Sequence, residues 1–184
     1  LHTLFCKKKI CVNGLKLIKM KKVNIIFGTL LAVTLITLIA SCKKEFFLTT
    51  EQKVEMTLDA FVSKLVLNPP TVVDISDRIK DYMLTNDTSF YGATVTLLDT
   101  AEIATFSPYW YRVSDSLAVT NLADTSYHIN DQLWLRQPID GGNAIWTDPY
   151  FDTGGGNIWM KTRSVPVYIN GKIIAVATTD LSLE

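Results

Sequence analysis

The chain has 184 residues with eighteen Lys and Arg against eighteen Asp and Glu, but this neutrality is unevenly distributed. Residues 1–42 hold seven lysines and no acid, whereas residues 43–184 hold eleven basic and eighteen acidic side chains, a net charge of −7. An acidic globular part excludes nucleic acid as a partner, because that binding needs a basic face. A remainder of this length suits one domain around one modest core.

Residues 1–19 precede Met20 and read as an upstream extension without a fold. Met20-Lys21-Lys22 and the apolar run to Ile39 read as the positive and hydrophobic regions of a signal peptide over 20–41. The run ends Leu38-Ile39-Ala40-Ser41-Cys42, which resembles a lipobox and makes Cys42 the expected lipidation site. A plain membrane anchor is the alternative, because an apolar run of this length barely spans a bilayer core of about 30 Å. Residues 42–48 form a polar tether. The other cysteines, Cys6 and Cys11, lie upstream of Met20, so residues 49–184 contain no disulfide, zinc-thiolate site or thiol nucleophile.

The domain over 49–184 opens with a helix. Val54, Leu58, Phe61, Val62, Leu65 and Val66 form an amphipathic stripe over Thr49 to Leu67. Thr49 and Gln52 have capping-box spacing, and Asn68-Pro69-Pro70 ends the helix. A second helix is expected from Ile75 to about Leu84, with Ile75, Ile79, Tyr82 and Met83 inward and Asp74 near its cap. Tyr91 to Leu98 alternates Ala93, Val95 and Leu97 with Thr94 and Thr96, the period of a half-buried strand. Glu102 to Arg112 reads as a strand bent at Ser107-Pro108, Ser114-Asp115-Ser116 as a turn, and Asn130 to Gln137 as one helical turn.

Ala144 to Trp146 begins an extended segment. Asn157 to Tyr168 and Lys172 to Asp180 form a hairpin across Asn170-Gly171, the favoured pair of a type I′ turn. Both alternating sets of the last strand are small or apolar, which places it inside a sheet covered on both faces. Helices followed by an antiparallel sheet give an α+β fold.

Chemistry-bearing residues are few. Tyr109, Trp110, Tyr111, Trp134, Trp146, Tyr150 and Phe151 supply apolar faces with polar tips, either as a pocket wall or as core. Asp152 and Asp180 could meet a cation, since a ligand charge offsets the desolvation of buried carboxylates. Otherwise Asp152 caps a turn and Asp180 makes a strand-end hydrogen bond. Arg163 could pair with one of these acids. Gly154-Gly155-Gly156 lacks a Gly-Lys-Ser/Thr ending and leads into a strand, so it reads as a hairpin connection rather than a phosphate loop. Asp148, Asp152 and Asn157 lack the spacing of a calcium-binding EF-hand. His128 is the sole histidine after residue 42 and has no motif around it. The chain is therefore expected to be no enzyme and to use no metal and no cofactor.

Ser-Pro-Tyr-x-Tyr-Arg from Ser107, Trp-x-x-Pro-Tyr-x-Asp from Trp146, Gly-Gly-Gly-Asn from Gly154, Ser-Val-Pro-Val from Ser164 and Thr-Asp-Leu-Ser-Leu-Glu from Thr179 together carry a resemblance. The set resembles the membrane-distal module of double Cache domains, the extracytoplasmic PAS-like sensors ahead of receptor-type phosphatases and histidine kinases. The resemblance covers roughly residues 50 to 184. It implies an antiparallel PAS-like sheet behind a long leading helix, with a small-molecule ligand held between sheet and loops. It also implies ammonium binding by Tyr150, Asp152 and Asp180 and a ligand contact at Trp134, while Tyr109 and Tyr111 are expected as further ligand contacts from the aromatic cluster.

Where that family holds a ligand carboxylate with Arg-x-Trp-Tyr, this chain has Gln132-Leu133-Trp134-Leu135. An amide does not replace a bidentate guanidinium, so an amine or a small polar molecule is the expected ligand. The expected setting is the cell envelope, facing the periplasm or exterior, with membrane attachment through Cys42 or the apolar segment and a membrane signalling partner. Because the sequence ends soon after Asp180, the expectation is a sensor without its own output, or a truncated receptor. The rival expectation is a structural or protein-interaction lipoprotein whose pocket is filled by its own side chains. Convergence of Tyr150, Asp152 and Asp180 on a cavity separates the two.

Overall fold

The computed structural model describes residues 47–184, Thr125 excepted. The extension over 1–19, the signal peptide or anchor over 20–41, Cys42 and most of the tether lie outside the described residues. Among the described residues, no helix is long and apolar enough to cross a membrane.

Helix α1, Thr50–Leu67, starts on a complete capping box: Thr49 Oγ1 accepts from the Gln52 amide and Gln52 Oε1 accepts from the Thr49 amide. Val54, Leu58, Phe61 and Leu65 are buried, and Val62 packs partly against them. Val66 departs from the expected stripe and is 41% exposed, because the sheet covers a narrower arc of the helix than the apolar set would allow. Helix α2, Ile75–Thr85, buries the four expected residues. Its Asp74 makes no side-chain cap and instead accepts from Thr71 and Arg78.

The strands are β1 (Phe90–Leu98), β2 (Ala104–Phe106), β3 (Pro108–Val113), β4 (Ser116–Asn121), β5 (Ile145–Trp146), β6 (Tyr150–Phe151), β7 (Trp159–Ile169) and β8 (Lys172–Ser182). They form one eight-stranded antiparallel sheet, ordered β4-β3-β1-β8-β7-β5, with β2 on β1 and β6 on β7. Asn170 and Gly171 both have positive φ, 50° and 77°, as a type I′ turn requires. Helix α3, Leu133–Gly141, follows a 3₁₀ turn at Ile129–Asp131 and is longer than the single turn expected. Pro138 lies inside it, and Gly142 in the left-handed region ends it.

Alternation along the strands sorts side chains onto two covered faces. Ala93, Val95, Leu97, Ala175, Ala177 and Leu181 pack with α1 and α2 in the larger core. On the opposite face Tyr109, Leu122, Tyr127, Ile129, Trp134, Leu135, Ile139 and Val176 form a second cluster under α3 and its preceding loop. This second layer corrects the reading of β1 as half-buried. Thr94 and Thr96 are buried too, and both hydroxyls bond the Ser107 hydroxyl, at 2.9 and 2.8 Å. Two further departures concern the strands. Glu102 lies in a turn with φ 59° rather than in a strand, and Ser116–Asn121 forms the edge strand β4 directly after the turn.

Candidate functional site

The second face encloses a cavity of about 10 Å³, lined by Thr94 and Thr178 from the paired strands β1 and β8, Tyr109 from β3 and Tyr150 from β6. Asp152, Asp180, Tyr127, Trp134 and Leu122 complete the wall. No Lys, Arg or His is among these residues. Strand pleat accounts for much of the arrangement. Residues 178 and 180 share a face of β8, Tyr109 leans across from β3, and Gly92 leaves room for its ring. A methyl group on Gly92 would lie 2.6 Å from Tyr109 Cε2, which no side chain tolerates.

The two carboxylates are 4% exposed each and held differently. Asp152 Oδ1 accepts from the Tyr127 hydroxyl at 2.5 Å and Oδ2 from the Gly156 amide at 2.7 Å. The Trp134 indole N–H donates to the Tyr127 hydroxyl at 3.2 Å, so a relay runs from α3 to the acid. Asp180 Oδ1 accepts from the Thr162 hydroxyl at 2.7 Å, and that hydroxyl lies 2.9 Å from the Tyr150 hydroxyl. The Tyr109 hydroxyl is buried in the cavity wall beside Asp180, but not in ideal hydrogen-bond geometry with it.

Burial pushes the Asp180 carboxyl up to about 7, with a further push from Asp152 and against the opposing pull of the Thr162 and Tyr109 hydroxyls. Burial also raises the Tyr109, Tyr127 and Tyr150 phenols, and the neighbouring acids raise them further. All three stay neutral hydrogen-bonding groups across the physiological range.

A second hollow of about 220 Å³ adjoins this cavity and shares Trp134 and Tyr150 with it as walls. Gln132, Leu133, Gln137, Thr147, Asp148 and Pro149 form the rest of its lining.

Residues 75–184 match the family described as methyl-accepting chemotaxis protein-like, first PDC sensor domain. The chain belongs to this family of sensor domains.

Solved structures agree in fold. The extracellular domain of soHK1S-Z6, named as a histidine kinase, is 21% identical with a TM-score of 0.61, over 71% of this chain and 52% of that one. A methyl-accepting chemotaxis protein X is 14% identical with a TM-score of 0.55, over 86% and 64% of the two chains. The ligand-binding domain of the Campylobacter jejuni chemoreceptor Tlp3, solved with L-valine, is 18% identical with a TM-score of 0.53, over 84% and 57%. The chain therefore spans about half to two thirds of the length of these structures. No curated protein matches the chain at a significant level.

Five residues of this PDC domain singled out in the sequence, Tyr109, Trp134, Tyr150, Asp152 and Asp180, line the one small cavity. Tyr111 does not. It stacks on Tyr109 with ring centroids 5.3 Å apart and supports that ring from the side. The wider aromatic group divides. Trp110 and Trp146 turn to the helix-covered face, where their indoles bond Ser76 and Glu55, and Phe151 meets Trp159 at the surface. Arg163 follows Thr162 on β7 and so points away from the cavity, and it pairs with neither acid.

Sequence reading missed Tyr127, the residue that binds Asp152. It sits in a polar loop with no periodicity, and only its spacing of seven residues before Trp134 hints at a shared layer. Thr162 was missed as well, because a threonine in a strand carries no chemical signal. The three glycines of the loop have separate causes: Gly154 has φ 88°, Gly156 is crowded by Met160 and Tyr91, and Gly155 by Asp152. A methyl group on Gly155 would lie 2.9 Å from Asp152 Cγ, so the chain closes over the carboxylate only with glycine at that position.

Proposed function

We propose that this PDC domain senses a small cationic metabolite, an amine or a comparably small polar molecule, bound between the sheet and the loops at Asp152 and Asp180. The observation that carries the reading is the convergence of two buried carboxylates and three phenols on one cavity whose wall contains no cation. Such a group of polar atoms weakens a purely structural core, where buried acids without a counter-charge cost free energy. A bound cation turns that cost into recognition. The sensor domains it resembles face the outside of the cell, and Tlp3 was solved with an amino acid, so an envelope location and a metabolite-sized ligand fit. Lipid attachment at Cys42, or the apolar segment before it, would hold the domain at the membrane beside a signalling partner that reads occupancy.

The cavity volume of about 10 Å³ favours a second reading, an interaction module whose centre is filled by its own side chains. A thermal-shift screen of the full chain against primary amines, amino acids and small carboxylates separates the two. A ligand at about 100 times its dissociation constant stabilises by about 2.7 kcal/mol. An amine hit that disappears in Asp180→Asn supports the sensor site. A folded chain that shifts with no ligand supports the interaction module.

A further inference from the structure

The two edges of the sheet are built differently. At one end β5 and β6 are two residues each and Pro149 interrupts the chain between them, so no continuous row of backbone groups is offered. At the other end β4 runs from Ser116 to Asn121 and pairs with β3, from Pro108↔Asn121 to Val113↔Ser116, without a bulge. Strand β3 is its only strand partner among the described residues. The devices that blunt an exposed edge are missing from β4. Residues 116–121 read Ser-Leu-Ala-Val-Thr-Asn, with no proline and no charge, in a stretch from 43 to 184 that holds eleven basic and eighteen acidic side chains.

The pairing with β3 fixes which backbone groups face out. The Leu122 amide donates to the Ser107 carbonyl at 2.9 Å, one step beyond Pro108↔Asn121. By alternation Ser116, Ala118 and Thr120 turn their N–H and C=O groups to β3, while Leu117, Val119 and Asn121 turn theirs outward. Among the described residues nothing bonds the Leu117 or Val119 backbone on that side. The Val119 side chain, across from Trp110, is 50% exposed.

This outward row is complementary to itself. Laid antiparallel about a twofold axis at Val119, two copies set Val119 against Val119, Ala118 against Thr120 and Leu117 against Asn121. The central valines exchange N–H and C=O bonds, and each Leu117 does so with an Asn121. The Asn121 carbonyl, which already accepts from the Asp124 amide at 3.3 Å, has a second lone pair for this. A β-branched pair sits at the centre and no like charges oppose each other. A foreign strand would have to reproduce this spacing, whereas a second copy carries it by symmetry.

We propose that β4 is a homodimer interface, at which a second copy of this chain adds its own β4 and the two sheets become one. The inference is independent of the ligand reading. A strand pair buries less than the about 1,200–2,000 Å² of a standard interface, so the dimer forms reversibly and shows at high concentration.

Sedimentation velocity of the full chain in a mild detergent, at rising protein concentration, should show a monomer–dimer equilibrium. Val119→Lys sets two like charges across the axis and should leave a monomer at every concentration. Val119→Pro should do the same, since it removes an outward N–H and no bond to β3. Amide hydrogen exchange gives a readout that a different interface would not move. The Leu117 and Val119 amides should gain protection as concentration rises, while those of Ala118 and Thr120 stay protected throughout. A wild-type chain that remains monomeric, a dimer that survives both substitutions, or a dimer whose Leu117 and Val119 amides exchange freely would overturn the proposal.

Discussion

The Tyr127 hydroxyl donates to Asp152 Oδ1 over 2.5 Å and at the same time accepts from the Trp134 indole N–H at 3.2 Å. One phenol thus joins the loop before α3, the helix itself and the carboxylate beyond β6. Tyr127→Phe removes this joint and leaves the buried acid with fewer donors. A hydrogen bond to a charged group contributes about 1.5–3 kcal/mol. Denaturant unfolding of Tyr127→Phe should show a loss in that range, with weaker or absent ligand binding.

Asp180 predicts a pH dependence of stability. Its folded value of about 7 lies above the ordinary 3.8, so the folded state holds a proton that the unfolded state has released. The stabilising contribution is complete below about 4 and is lost as pH rises through about 7, with a slope approaching 1.4 kcal/mol per pH unit. Asp180→Asn should flatten that stretch of the curve in thermal or denaturant unfolding. The groups facing Asp180 are Thr162, Asp152, and the phenols of Tyr109 and Tyr150, none of them cationic. A curve equally steep in wild type and Asp180→Asn would assign the slope to another group.

Binding of a cation should be linked to the same proton. An ammonium beside Asp180 favours the ionised carboxylate, so affinity should fall by up to tenfold per pH unit below about 7 and level off above it. Calorimetry in buffers of different ionisation enthalpy would detect the released proton. Proton release near zero at pH 6 would contradict the linkage.

Gly92 is predicted to be intolerant. Its missing side chain is what lets the Tyr109 ring lie against β1 beside Asp180. Gly92→Ala should displace that ring, cost about 1–3 kcal/mol as overpacked substitutions do, and disturb the cavity. A variant of unchanged stability and affinity would show that Tyr109 can move freely.

Much of this fold was legible because its signals are local. The capping box at Thr49 and Gln52, the helix ends at Asn68 and the Asn170-Gly171 turn each fix structure through neighbouring atoms, and all appear as expected. What escaped depends on tertiary partners. Thr94 and Thr96 alternate with apolar residues as if solvated, yet Ser107 satisfies both hydroxyls inside a second covered layer. Val66 carries the stripe of α1 beyond the reach of the sheet. The same division holds at the site. The aspartates could be picked out by chemical type and motif, but Tyr127 and Thr162 gain their importance only from being within 2.7 Å of those carboxylates.

The most direct measurement is calorimetric titration of 1-aminobutane into the full chain at pH 8, in wild type and in Asp180→Asn. The account predicts saturable binding to wild type and a loss of at least about tenfold in Asp180→Asn, the cost of removing a buried charge partner. Equal affinity in the two proteins, or no binding to a folded wild-type chain, would contradict the assignment of the Asp152–Asp180 cavity as a cation-sensing site.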